Sequence, residues 1–158
     1  MGFNVSGKID LKLNELGIVL PVTPIPLATY VPAKQVGNLI FTSGQLPIIN
    51  GEVQCKGLVG ENIQVSTAYD ASQVCLLNAL SAIKSVIGDL DSIVQIVKLT
   101  GYVASTSSFT QQPEVINGAS DLLIKIFQEK GKHTRTAIGV SALPRDASVE
   151  IELIVEIK

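Results

Sequence analysis

The alternation of apolar and polar positions is cleanest at the C-terminus. Val149, Ile151, Leu153, Val155 and Ile157 fall on one side of a strand, and Glu150, Glu152, Ile154, Glu156 and Lys158 fall on the other. That period of two describes a sheet with one face in the core. Two longer stretches switch to helical spacing. From Ser66 to Ile87 the positions Leu76, Ala79, Leu80, Ile83, Val86 and Ile87 form a stripe that Gly88 ends, and from Pro113 to Lys130 the stripe is Val115, Ala119, Leu122, Ile126 and Phe127, closed by Gly131. A shorter helix is predicted over 8–17, with Ile9, Leu13 and Leu16 on one stripe and Gly17 as its stop, before Pro21, Pro24 and Pro26 force an extended path.

The remaining pattern predicts strands at Thr29–Ala33 and Asn38–Ser43 around a Val36-Gly37 turn, a turn at Asn50-Gly51, a loop over 57–64 and a strand over 93–104. A closing hairpin of 135–142 and 148–157 is expected to turn at Leu143-Pro144-Arg145-Asp146. The order ββαβαββ implies one α+β domain over 1–158, a sheet with two helices on one face. A strict period of two on 93–104 puts Ile93, Val97, Leu99 and Val103 on one face and Val94, Ile96 and Tyr102 on the other. Two helices cover one side only, so the second apolar side calls for a partner, most simply another copy of the chain.

Composition supports that expectation. Of 158 residues, 46% are hydrophobic and 16% charged, and the net charge is −2, against roughly 25% charged residues in ordinary soluble domains. No uncharged apolar run reaches the ~18 residues of a membrane span, and Lys8, Asp10, Lys12 and Glu15 interrupt any secretory signal. Cys55 and Cys75 are read as reduced thiols, hence a cytoplasmic protein. The absence of a basic run and an aromatic content of 4% count against nucleic acid. The single His133 and the lack of ligand spacing count against a metal, and no Gly-rich phosphate loop suggests a nucleotide, so no cofactor is expected.

Among polar residues, Arg135 stands out. On the predicted strand Thr136, Ile138 and Val140 suit the helix-covered core, and Arg135 shares the other face with Ala137, Gly139 and Ser141, small neighbours that leave room for a carboxylate on the guanidinium fork. On spacing alone a surface arginine at a strand start fits somewhat better. Glu150 is either a partly desolvated proton-handling carboxylate or one of several solvated glutamates on its strand. The expected hairpin would set it about 16 Å from Arg135, too far for one small ligand, so neighbouring subunits would have to supply the two. Gly44 in Ser43-Gly44-Gln45 offers close backbone approach to a ligand or serves a turn. Tyr30 and Asn117 are ligand contacts or satisfied packing groups, and His133 reads as a surface histidine. No histidine is placed to activate Ser43.

Taken together, Tyr30-Val31, the run Gly37-Asn38-Leu39-Ile40-Phe41-Thr42-Ser43-Gly44-Gln45-Leu46-Pro47, Asn117, Arg135 and Leu143-Pro144-Arg145-Asp146-Ala147-Ser148-Val149-Glu150-Ile151-Glu152 resemble the Rid (reactive intermediate deaminase) family, also called YjgF/YER057c/UK114 and often named endoribonuclease L-PSP. The resemblance spans about Tyr30 to Lys158, and residues 1–27, which it makes an N-terminal extension with a short helix, resemble a longer subgroup. It implies a chorismate-mutase-like fold, a homotrimer with clefts between subunits, and cofactor-independent hydrolysis of 2-imino or enamine acids to 2-oxo acids and ammonia. By that resemblance Arg135 grips the substrate carboxylate, Glu150 positions or activates water, and Tyr30, Ser43, Gly44 and Asn117 line the cleft. The chain departs from the family pattern in having His133-Thr134 before the arginine, Ala137 where a cysteine is usual, and Ser120 where a tyrosine is frequent. Those departures keep open a non-catalytic module that binds small carboxylates or a protein partner. A ribonuclease fits poorly with the acidic balance and the single histidine.

Overall fold

The computed structural model describes residues 7–23, 25, 26 and 28–158; the first residues of the expected extension, with Pro24 and Leu27, lie outside that description. A helix α1 (Lys8–Glu15) buries Leu13, and among the described residues no further helix or strand comes before Ala33. Strands β1 (Ala33–Val36) and β2 (Leu39–Thr42) form a hairpin whose turn uses Gly37 at φ 59°. The first strand therefore begins where the sequence pattern ends it, because residues 28–30 bend instead of extending. Asn50 and Gly51, both with positive φ, turn the two-residue strands β3 (Ile48–Ile49) and β4 (Glu52–Val53). Then follow α2 (Val65–Ile87), β5 (Ile93–Ala104), α3 (Gln112–Phe127), β6 (Thr134–Val140) and β7 (Val149–Ile157).

The main sheet has the order β1-β2-β7-β5-β6, antiparallel except for the parallel pair β5–β6 that α3 connects. This is the expected ββαβαββ mixed sheet. Helices α2 and α3 lie on one face and pack on each other, closing a core that includes Leu76, Leu80, Ile83, Leu99, Ile116, Leu123, Ile151 and Leu153. Gly118 of α3 sits against the Tyr69 carbonyl and the Ser72 hydroxyl of α2, so the helices approach closely at a point where neither side carries a bulky group.

Three expectations need correction. The segments 135–142 and 148–157 do not form a hairpin: β5 runs between them, pairing Tyr102 with both Ile138 and Glu150. The chain leaves α3 on the helix side and returns to β5's outer edge, as a parallel crossover requires. Second, β5 carries register shifts at Ile93/Gln95 and Ile96/Lys98. Each bulge advances the strand by an extra residue, so the buried positions are Ile93, Ile96, Leu99, Gly101 and Val103, and Ile96 and Val97 exchange faces. The outward face holds Val94, Val97 and Tyr102 beside Gln95, Lys98 and Thr100, apolar and polar groups mixed. Third, the faces of β6 are reversed. Arg135 is level with buried Leu99, and Ala137 packs on the core, whereas Ile138 is 43% exposed on the open side.

Candidate functional site

Edge strand β6 turns Arg135 toward α3. Its Nη1 donates to Asn117 Oδ1 at 2.8 Å and to Ser120 Oγ at 3.2 Å. Asn117 and Ser120 are three apart, hence on one face of α3, and the arginine is exposed, with its remaining N–H groups free of protein partners among the described residues. Sequence reasoning singled out Arg135 and Asn117, noted Ser120 only as a departure from the family pattern, and set His133 aside as a surface group. His133 lies two residues before Arg135, on the same side of the chain, and its Nε2 is 2.9 Å from Ser120 Oγ. The i, i+3 spacing of Asn117 and Ser120 was the signal available in the sequence.

A second group forms around β2 and β7. The backbone of Gln45 is bonded in both directions to Ile151, which brings Gly44 beside Glu150. A Cβ on Gly44 would strike the Glu150 carboxylate. Burial pushes the Glu150 carboxyl up from its ordinary value, and neighbouring Glu152 pushes it in the same direction. Glu152 in turn accepts from the Tyr102 hydroxyl at 3.1 Å. Ser43 donates its hydroxyl to Val31 O at 2.6 Å and its N–H to Pro32 O at 2.8 Å, so it pins the segment that carries Tyr30. Tyr30 is 57% exposed and, with Gly44, borders a cavity of about 740 Å³ walled by Val22, Ile25, Leu77 and Asn78.

The six residues thus gather into two groups, Arg135 with Asn117, and Gly44 with Glu150, Ser43 and Tyr30 near by. They do not meet within the chain. Arg135 is level with Leu153 across β5 and faces the helices, while Glu150, three residues back along β7, faces away from them. The gap is roughly 10 Å along the strands and roughly 10 Å across two strand spacings, with the sheet between. Among the described residues no three His, Cys, Asp or Glu side chains gather as a metal site, and no helix is long and apolar enough to cross a membrane. Both cysteines are free and buried.

A family model described as "YjgF/chorismate_mutase-like, putative endoribonuclease" matches residues 10–157. Protein TCP17 of Trypanosoma cruzi is 38% identical over 99% of both chains. The crystal structure of Atu1372 from Agrobacterium tumefaciens, a protein of unknown function, superposes with a TM-score of 0.88 at 45% identity, covering 95% of this chain and 93% of that one. A 2-iminobutanoate/2-iminopropanoate deaminase of Dermatophagoides farinae is 28% identical over 89% of this chain and 95% of its own. With the fold, the signature segments and these matches in agreement, the chain belongs to the YjgF (Rid) family.

Proposed function

We propose that the protein hydrolyses 2-imino acids, or their enamine tautomers, to 2-oxo acids and ammonia, in clefts that neighbouring copies of a homotrimer build together. The observation that carries this reading is the separation just described. A cation held for a carboxylate and a carboxylate held for a proton stand on opposite faces of one sheet, so each chain offers two complementary half-sites. A cyclic assembly that sets the β6 edge of one subunit beside the Gly44–Glu150 group of the next completes a site at every interface. Phe41, Val94 and Ile138, all between 38% and 43% exposed, are apolar residues that such contacts would cover.

In that cleft the free N–H groups of Arg135 hold the substrate carboxylate. The C=N carbon is already electrophilic, so the reaction as written asks the protein for orientation and for moving the protons of water to nitrogen. Water adds to the carbon as Glu150 accepts its proton. That proton passes to nitrogen to give the carbinolamine; the hydroxyl proton then moves through the same carboxyl to the amine as the C–N bond breaks, so that ammonia leaves and the 2-oxo acid remains. A carboxyl whose affinity for the proton is raised suits this task better than an ordinary glutamate. The reduced, buried cysteines fit a cytoplasmic setting, where pyridoxal-phosphate enzymes release such imines.

The test is an assay in which threonine dehydratase generates the imine in situ and 2-oxobutanoate formation is followed with and without this protein. Acceleration by the wild type is expected. Arg135→Ala should lose about 30- to 1000-fold in kcat/KM, the equivalent of roughly 2–4 kcal/mol of charge-assisted binding. Lysine should restore only part of this, because a point charge cannot replace the fork. Undiminished hydrolysis by Arg135→Ala would overturn the clamp. Carboxylate binding without any acceleration by the wild type would favour the non-catalytic module.

A further inference from the structure

The bonds around Ser120 run in one direction. The Gly131 carbonyl can only accept, and it lies 2.6 Å from His133 Nδ1, so Nδ1 carries the hydrogen. In the neutral ring Nε2 is then an acceptor. Ser120 must donate to it across 2.9 Å, which leaves the lone pairs of Oγ for the Arg135 N–H at 3.2 Å. A helical serine would otherwise turn its hydroxyl back to the carbonyl four residues earlier. His133 draws that hydrogen away from the helix and so aims the oxygen at the guanidinium. Both hydrogens of Nη1 are consequently spent, one on Asn117 and one on Ser120. An end-on grip through both terminal nitrogens is thereby lost, and the fork left for a ligand is the side-on pair Nε–H and Nη2–H.

We infer that His133 and Ser120 are positioning residues that lock Arg135 for side-on binding of the substrate carboxylate. This rests on the carboxylate-clamp reading above and names its mechanical support. The residues involved are the ones in which the chain departs from its family pattern, so the device is specific to chains that carry this pair.

The experiment measures the Kd of 2-oxobutanoate, a stable carboxylate product, and of its uncharged amide, alongside imine kinetics. Ser120→Ala and His133→Leu should weaken 2-oxobutanoate binding about fivefold to tenfold and raise KM with kcat little changed, while binding of the amide stays as in the wild type. His133→Gln, whose side-chain oxygen can accept the serine hydrogen, should restore most of the affinity. Wild-type affinity in both Ser120→Ala and His133→Leu, with Arg135→Ala defective, would overturn the lock and spare the clamp. No effect of Arg135→Ala, or no binding by the wild type, would overturn both. A folding defect in the variants does not remove the test, because imidazole ¹⁵N shifts of the wild-type protein must show Nδ1 protonated; the opposite tautomer overturns the proposal.

Discussion

The carboxylate of Glu150 occupies the space that a side chain at residue 44 would need. Gly44 is not among the glycines with positive φ, so the backbone itself would accept other residues. What demands glycine here is the approach of Glu150, half-buried on β7 and held level by the paired backbones of Gln45 and Ile151. Gly44→Ala should therefore fold, yet push the Glu150 carboxylate out of place. The expected outcome is a loss in kcat of at least about tenfold, or roughly 1.4 kcal/mol, with the far-UV spectrum unchanged. Activity equal to wild type would mean that Glu150 moves without consequence for the chemistry.

Stability should also depend on Glu150. Burial and Glu152 raise its proton affinity in the folded state above that of the unfolded chain. Between the ordinary glutamate value near 4.3 and the higher folded value, the folded state binds more proton than the unfolded one, so stability falls as pH rises through that window. Glu150→Gln removes the charge and with it the penalty. The variant should melt above the wild type at pH 7 and lose that advantage below about pH 4. Thermal melts across this range decide it; a variant less stable than wild type at pH 7 would show that the carboxylate is better satisfied than its burial implies.

The helices and the last strand were legible because their periods are unbroken. Leu76, Leu80 and Ile83 on α2, and Val149 to Ile157 on β7, are buried as their spacing predicts. Strand β5 misled because two bulges insert residues, turning a period of two into the spacing Ile93, Ile96, Leu99; a bulge leaves no reliable mark in residue type. The reversed faces of β6 have a different origin. Ile138 looks like a core residue and Arg135 like a surface one, but an edge strand places them by its pairing with β5, and the pairing was hidden by the assumed hairpin. The separation of Arg135 from Glu150 was foreseen from distance along a hairpin, whereas the folded chain achieves it by opposite sheet faces. Helix spacing already set Ser120 beside Asn117, but His133 went unread as a site residue because its meeting with Ser120 depends on the turn from α3 into β6, which no local pattern specifies.

Gly118 tests the packing behind the site. Its missing Cβ faces the Tyr69 carbonyl, and the Ser72 hydroxyl bonded to that carbonyl at 2.7 Å. Backbone cannot step aside as a flexible side chain can, so Gly118→Ala should force α3 away from α2 despite alanine's better helix propensity. Overpacking of this kind costs about 1–3 kcal/mol, which lowers Tm by roughly 2–4 °C per kcal/mol in a chain of this size. Because Asn117 and Ser120 flank the glycine, the affinity for 2-oxobutanoate should fall as well. A Tm unchanged or raised would mean that the propensity gain of about 1 kcal/mol exceeds the strain.

The division of the site between faces leads to a test of the assembly that needs no structure of it. Arg135→Ala destroys one half-site and Glu150→Gln the other, so each variant alone should be nearly inactive in imine hydrolysis. Co-refolded in equal amounts, the two chains would assort at random around the proposed cyclic trimer. A given interface takes its arginine group from one subunit and its glutamate group from the next, and about a quarter of interfaces then receive both intact (one half times one half). The co-refolded mixture should recover about a quarter of the wild-type rate, in a particle of about three times the 16.7 kDa chain by light scattering. A site built wholly within one chain cannot be repaired this way, since every chain in the mixture carries a defect. Rates that stay at the level of the separate variants, in trimers verified to contain both, would refute the shared cleft; recovery would tie catalysis to the placement of Arg135 and Glu150 on opposite faces of one sheet.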